Sequence, residues 1–225
     1  MLTAVIPVRA GSTRVKNKNI RPFAGSSLLQ VKIRELQRVE RIDRIVVSSD
    51  SEEMLRVARE EGACAVKRPI EYCDEKTKTF NEVVTHIARE ELSGEWMLWA
   101  PCVCPLVEAA RFREAIEKFE VQCQQNGCDS VVSARLMQEY LFDEKGPVNF
   151  SIAHHVPSQR LPHWHVITNG FFLARREDMA KWGFVYGPNP YLLEIDKQEA
   201  LDIDDLFDFE MTEQAYLARK GKMHE

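Results

Sequence analysis

The chain has 225 residues, 44% of them hydrophobic and 29% charged, with a formal net charge of −5 at pH 7. That length supports one domain with a sizeable core. The acidic balance excludes a protein that binds nucleic acid over its whole surface, so any basic site must be local.

In chain order, Leu2 to Val8 is apolar on both faces, which predicts a buried strand of a parallel sheet. Ser26 or Ser27 is placed to cap a helix over Leu28 to Val39, with Leu29, Ile33 and Leu36 on its apolar stripe. Ile42 to Ser49 predicts the second strand. Asp50-Ser51 opens a helix that carries Glu52 and Glu53 in its first turn and stops at Gly62. Ala63 to Lys67 is a short strand, and a helix follows from Thr79 with Val83, Ile87 and Leu92 inward. Glu95 to Ala100 is a strand, Val107 to Cys123 a helix, and Asp129 to Ala134 a further strand. This alternation predicts an α/β fold with a largely parallel sheet covered on both faces.

The rhythm breaks at Met137. Residues 138–165 have no helical period and predict an extended arm, of the kind that packs on a second subunit. Val166 to Ala174 returns to a strand interrupted by Asn169-Gly170. Trp182 to Pro190 is loop, Tyr191 to Ile195 a late strand, and Asp204 to about Arg219 a final helix with Asp204 as its N-cap. No apolar run approaches a membrane span, no export signal is evident, and the six scattered cysteines suit reduced thiols. A cytoplasmic protein is expected.

Charge is concentrated at the two ends. The first strand empties into a loop with Gly11, Ser12, Thr13 and the cations Arg9, Arg14, Lys16, Lys18 and Arg21, and no acid precedes Glu35. Backbone N–H groups in such a turn, with guanidinium and ammonium groups around them, bind phosphate. Asp196 to Glu213 holds eight acids against the single base Lys197. Within it Asp202-Ile203-Asp204 sets two carboxylates on one side of an extended chain, a pair suited to Mg²⁺ alongside substrate phosphates. The plain alternative is a solvated helix start. Together the poles point to phosphoryl or nucleotidyl transfer. A Walker loop, a G-x-G-x-x-G motif and a recognisable nucleophile motif are absent from the sequence.

Val5-Ile-Pro-Val-Arg-Ala-Gly-Ser-Thr-Arg-Val-Lys-Asn-Lys-Asn-Ile20 resembles the signature loop of the acylneuraminate (CMP-nonulosonic acid) and CMP-KDO cytidylyltransferases. Arg44 to Asp50, Arg68-Pro69, Cys102-Val-Cys-Pro-Leu106, Asn169-Gly170 and Asp202-Ile-Asp204 resemble later motifs of that family, in the same order. The resemblance implies a single three-layer, Rossmann-like nucleotidyltransferase domain (GT-A-like) over residues 1–225. Its central sheet would be mixed and mostly parallel, and the 138–165 arm would pair a homodimer. It implies a cytidylyltransferase that joins CTP to a sialic-acid-like nonulosonic acid for surface glycan biosynthesis, releases pyrophosphate and requires Mg²⁺. Arg9, Ala10, Gly11, Ser12, Arg14, Lys18 and Asn19 would hold the nucleotide, with Arg68 and Thr79 bordering the cytosine. Arg160 and Asn169 would meet the sugar, and Asp202 and Asp204 the metal. Arg9, Lys18, Asp202 and Asp204 would carry the catalysis, with a metal-bound Asp or water as base.

The sequence departs from the family pattern at Thr13, where a lysine is usual, and at Pro101, Cys102, Cys104 and Ser158. These changes remove polar contacts and leave two alternatives open: a different nucleotide and sugar pair, or a nucleotide-binding homologue without turnover.

Overall fold

The computed structural model describes residues 1–12 and 14–222, so Thr13 lies outside the described residues. The central sheet has seven strands: β1 (Leu2–Pro7), β2 (Arg44–Ser49), β3 (Cys64–Lys67), β4 (Trp96–Trp99), β5 (Ser130–Met137), β6 (Trp164–Arg175) and β7 (Pro190–Glu194). Their order is β7-β5-β6-β4-β1-β2-β3. Every pairing is parallel except those of β6, which runs antiparallel to β4 and β5. The helices are α1 (Leu28–Gln37), α2 (Glu52–Glu60), α3 (Phe80–His86), α4 (Ala109–Gln125), α5 (Arg176–Trp182) and α6 (Leu206–Lys222).

Strand periodicity divides the core into two layers. Ala4, Ile6 and Leu98 face a cluster that contains Ile33 of α1, Phe112 of α4 and Phe209 of α6. Val5, Met97 and Trp99 face the other way, toward Val84 of α3 and Met179 of α5. The result is the expected three-layer α/β architecture. Helix starts follow local chemistry. Ser27 and Ser51 accept the N–H groups of Gln30 and Met54, and Thr79 forms a reciprocal capping box with Glu82.

Four expectations need correction. Helix α5 forms directly after β6, where no helix was expected, and ends at Gly183 in the left-handed conformation. The final helix begins at Leu206. Asp205, not Asp204, accepts the N–H of Asp208, and this leaves the Asp204 carboxylate free of capping. Helix α3 passes at Ile87 into a π turn over Ile87–Glu91 instead of continuing as a regular helix. The arm is mostly irregular, with one short ribbon (Phe142–Asp143 with Gly146–Pro147), and its last two residues belong to β6. No helix among the described residues is long and apolar enough to cross a membrane.

Candidate active site

Strands β1 to β4 run parallel, so their C-terminal ends share one edge of the sheet, the usual ligand position of such sheets. A cleft of about 660 Å³ opens there. Arg9, Ser12, Arg14, Lys18 and Asn19 enter it from the loop after β1, Arg68 from the end of β3, Pro101 to Val103 from the loop after β4, and Asn169 from β6.

The two charge poles meet at this cleft. Lys18 Nζ donates to the Ile203 carbonyl at 2.6 Å, across 185 residues of sequence. Arg14 pairs with Asp204 at 2.8 Å. Packing enforces the junction. Phe23, fully buried in the loop after β1, lies edge-on to Phe209 of α6 at 5.4 Å and against Tyr216 at 5.3 Å. Burying rings of this size contributes about 1.5–3 kcal/mol each. The Ala24 N–H donates to Glu213 at 2.6 Å. Ile203 is fully buried, and its N–H bonds the Val103 carbonyl at 3.0 Å, so Asp202 and Asp204 project from an anchored segment. Burial pushes the Asp202 carboxyl up; the hydrogen bond from Asn169 opposes this and the neighbouring Asp204 adds to it. Burial likewise pushes the Lys18 ammonium below its ordinary value, against the pull of Asp202 and Asp204.

Asn169 owes its position to a break in β6. The register with β5 shifts between Ile167 and Phe172. There the Ser133 hydroxyl receives the Thr168 hydroxyl at 2.8 Å and the Phe171 N–H at 3.0 Å. A Cβ on Gly170 would lie 2.9 Å from Ser133 Oγ, so glycine is required for the close approach. The bulge turns Asn169 so that its Nδ2 donates to Asp202 at 2.6 Å.

The other candidates divide. Arg9 lines the cleft but is held by the Cys73 carbonyl at 2.9 Å and by Glu75. The Ala10 N–H is engaged by Asp50 at 2.8 Å, and Gly11 has the positive φ of +80° that a tight turn needs. Arg68 borders the cleft with its guanidinium turned inward. Thr79 caps α3 and is not among the lining residues, nor is Arg160, which is exposed in the turn Ser158–Arg160. Cys102 and Cys104 are buried, and burial pushes both thiols up to about 12, so neither is a nucleophile.

Sequence reasoning missed the aromatic end of the cleft: Tyr72, Phe80, Trp99, Phe172, Phe184 and Tyr186. Phe80 stands edge-on to Trp99 and Phe184, and Tyr186 stacks on Phe172. They come from separate segments of the chain, and no spacing within the sequence joins them.

A family described as cytidylyltransferase matches residues 3–95, the part that carries the cationic loop, β2 and Arg68. That match covers the N-terminal part of the chain, somewhat less than half of it. The chain is 25% identical over 217 residues to an N-acylneuraminate cytidylyltransferase of Escherichia coli, covering 93% of this chain and 51% of that protein. It therefore spans about half the length of that relative. A pseudaminic acid cytidylyltransferase of Campylobacter jejuni is 24% identical over 94% of both chains. Among solved structures, a CMP:2-keto-3-deoxy-manno-octonic acid synthetase complexed with CTP matches with a TM-score of 0.70 at 10% identity, over 97% of this chain and 99% of that one. That likeness is one of fold. The segment that the family matches is the one that brings the cationic loop to the strand ends at the cleft.

Proposed function

We propose that this chain is a cytidylyltransferase that transfers the cytidylyl group of CTP to the hydroxyl of a nonulosonic acid and releases pyrophosphate. The observation that carries the reading is the junction of the cationic loop with Asp202-Ile203-Asp204 through Lys18 and Arg14. The names of the Escherichia coli and Campylobacter relatives support the nucleotide and the class of acceptor.

The donor set fits Mg²⁺. Two carboxylates leave the anchored segment at alternate positions, and the burial and repulsion that disfavour the charge on Asp202 are what a cation would relieve. Among the described residues no third carboxylate, histidine or cysteine completes a cluster with them, which suits an ion whose remaining ligands are substrate phosphates and water. When bound at Asp202 and Asp204, Mg²⁺ would shield the charge of the phosphates. The chain's own part is positioning and neutralisation. Arg9, Arg14 and Lys18 hold the polyphosphate and the departing pyrophosphate, Ser12 and Asn19 border the nucleotide, and Asn169 fixes Asp202 on the acceptor side.

The test is pyrophosphate release with CTP, Mg²⁺ and a panel of nonulosonic acids, alongside a thermal-shift comparison of CTP, UTP, GTP and ATP. Release with CTP and at least one acid is expected. A clear preference for another nucleotide, or tight CTP binding without any product, would overturn the reading. The exposed Tyr140, Phe142, Val148 and Ile152 give the arm an apolar surface suited to a homodimer. A monomer by light scattering would refute that assembly.

A further inference from the structure

Behind the wall of the cleft lies a buried group of charges that the proposed reaction does not use. Arg68 is only 3% exposed. It donates to the Val8 carbonyl at 2.7 Å, the Ser48 hydroxyl at 3.2 Å and the Cys73 sulfur at 3.0 Å, all neutral acceptors. These contacts bracket Arg9: Val8 precedes it in the chain, and the Cys73 carbonyl accepts its guanidinium. A guanidinium this buried needs a counter-charge.

Glu91 faces it. Its side chain is 4% exposed, and neither carboxylate oxygen has a hydrogen bond among the described residues. A buried carboxylate this sparsely partnered calls for a reason. It closes the π turn Ile87–Glu91, a distortion that recurs at functional positions. Around it stand Ser48 from β2, Arg68 from the segment after β3, and His86 from α3, whose Nε2 lies 3.3 Å away. The His86 ring in turn stacks on Tyr72 of the cleft, centroids 4.0 Å apart, and Lys78 sits over the same Tyr72 ring. Asp50 faces Cys73 and holds the Ala10 N–H.

We propose that Glu91 is a positioning residue of the nucleotide site: as a carboxylate it is the counter-charge of Arg68, which clamps Val8 and Cys73 and so fixes Arg9 for the phosphates. The inference rests on the reading of this cleft as a CTP site. Burial pushes the Glu91 carboxyl up, opposed by Ser48, Arg68 and His86, so its charge is lost at a higher pH than that of an ordinary glutamate. The clamp then loosens on the acid side.

The experiment compares Glu91→Gln with the native chain, measuring KM for CTP and kcat from about pH 5 to 9. The variant should raise KM for CTP roughly tenfold at neutral pH with kcat within about twofold. It should also lack the Glu91 contribution to the acid-side rise in KM of the native chain. An unchanged KM, or an identical acid limb in both proteins, overturns the proposal. If Glu91→Gln does not fold, Ser48→Ala loosens the same clamp and should raise KM in the same direction, and an unchanged KM there overturns it as well. A native chain that binds no CTP overturns the reading of the cleft itself. Native and Glu91→Gln proteins that bind CTP equally overturn only the role of Glu91.

Discussion

Replacing Lys18 by methionine keeps the aliphatic stem and removes the ammonium that joins the phosphate loop to the acidic segment. The lost contact is a charged hydrogen bond of 2.6 Å to the Ile203 carbonyl. Such bonds are worth about 1.5–3 kcal/mol. Two effects reduce that figure here. The ammonium is half-buried and pushed below its ordinary value by burial, so removing it also relieves a desolvation cost. Ile203 is held independently by its own N–H and by full burial of its side chain. The net loss should be about 1 kcal/mol, or roughly 2–4 °C in Tm for a chain of this size. Turnover should respond very differently. A positioned donor aimed at developing phosphate charge is worth about 100–1000-fold in rate. Pyrophosphate release and a thermal melt of the same preparation check both numbers. Activity within about fivefold of the native chain would refute the role of Lys18 at the phosphates, whereas a melt lowered by about 10 °C or more, several times what a loss of about 1 kcal/mol gives, would show that the contact is mainly structural.

Asp202→Asn should abolish pyrophosphate release with Tm unchanged or higher, because burial and Asp204 already disfavour the aspartate charge; a large fall in Tm would contradict this. Thr79→Ala removes a helix cap outside the cleft, so a loss of about 1 kcal/mol with no change in KM for CTP is expected. Lys78 and Thr79 hold the Glu82 carboxyl down to about 2. Because that folded value lies below the unfolded one, the stabilisation is present above the ordinary glutamate value and is lost as pH falls toward 2, which acid melts of the two proteins would show. Glu75→Gln frees Arg9 from an ion pair whose acid is 83% exposed. Exposed pairs are worth about 0–1 kcal/mol, so KM for CTP should fall by no more than about fivefold, and a rise would refute competition between Glu75 and phosphate.

The sequence by itself determined the layered α/β frame and both halves of the site. Strand and helix periods, Ser51 before two glutamates, and Gly62 after α2 are local signals that need no partner. The cationic loop and Asp202-Ile203-Asp204 were legible because charge and alternation are written along the chain. Only the tertiary structure decided how they meet. Phe23 packs on α6 and Ile203 anchors to Val103, contacts between residues 100 or more positions apart that no local pattern encodes. The same holds for the antiparallel β6 and its bulge at Asn169. It holds also for Glu91, whose burial beside His86 follows a π turn that its helical spacing does not announce.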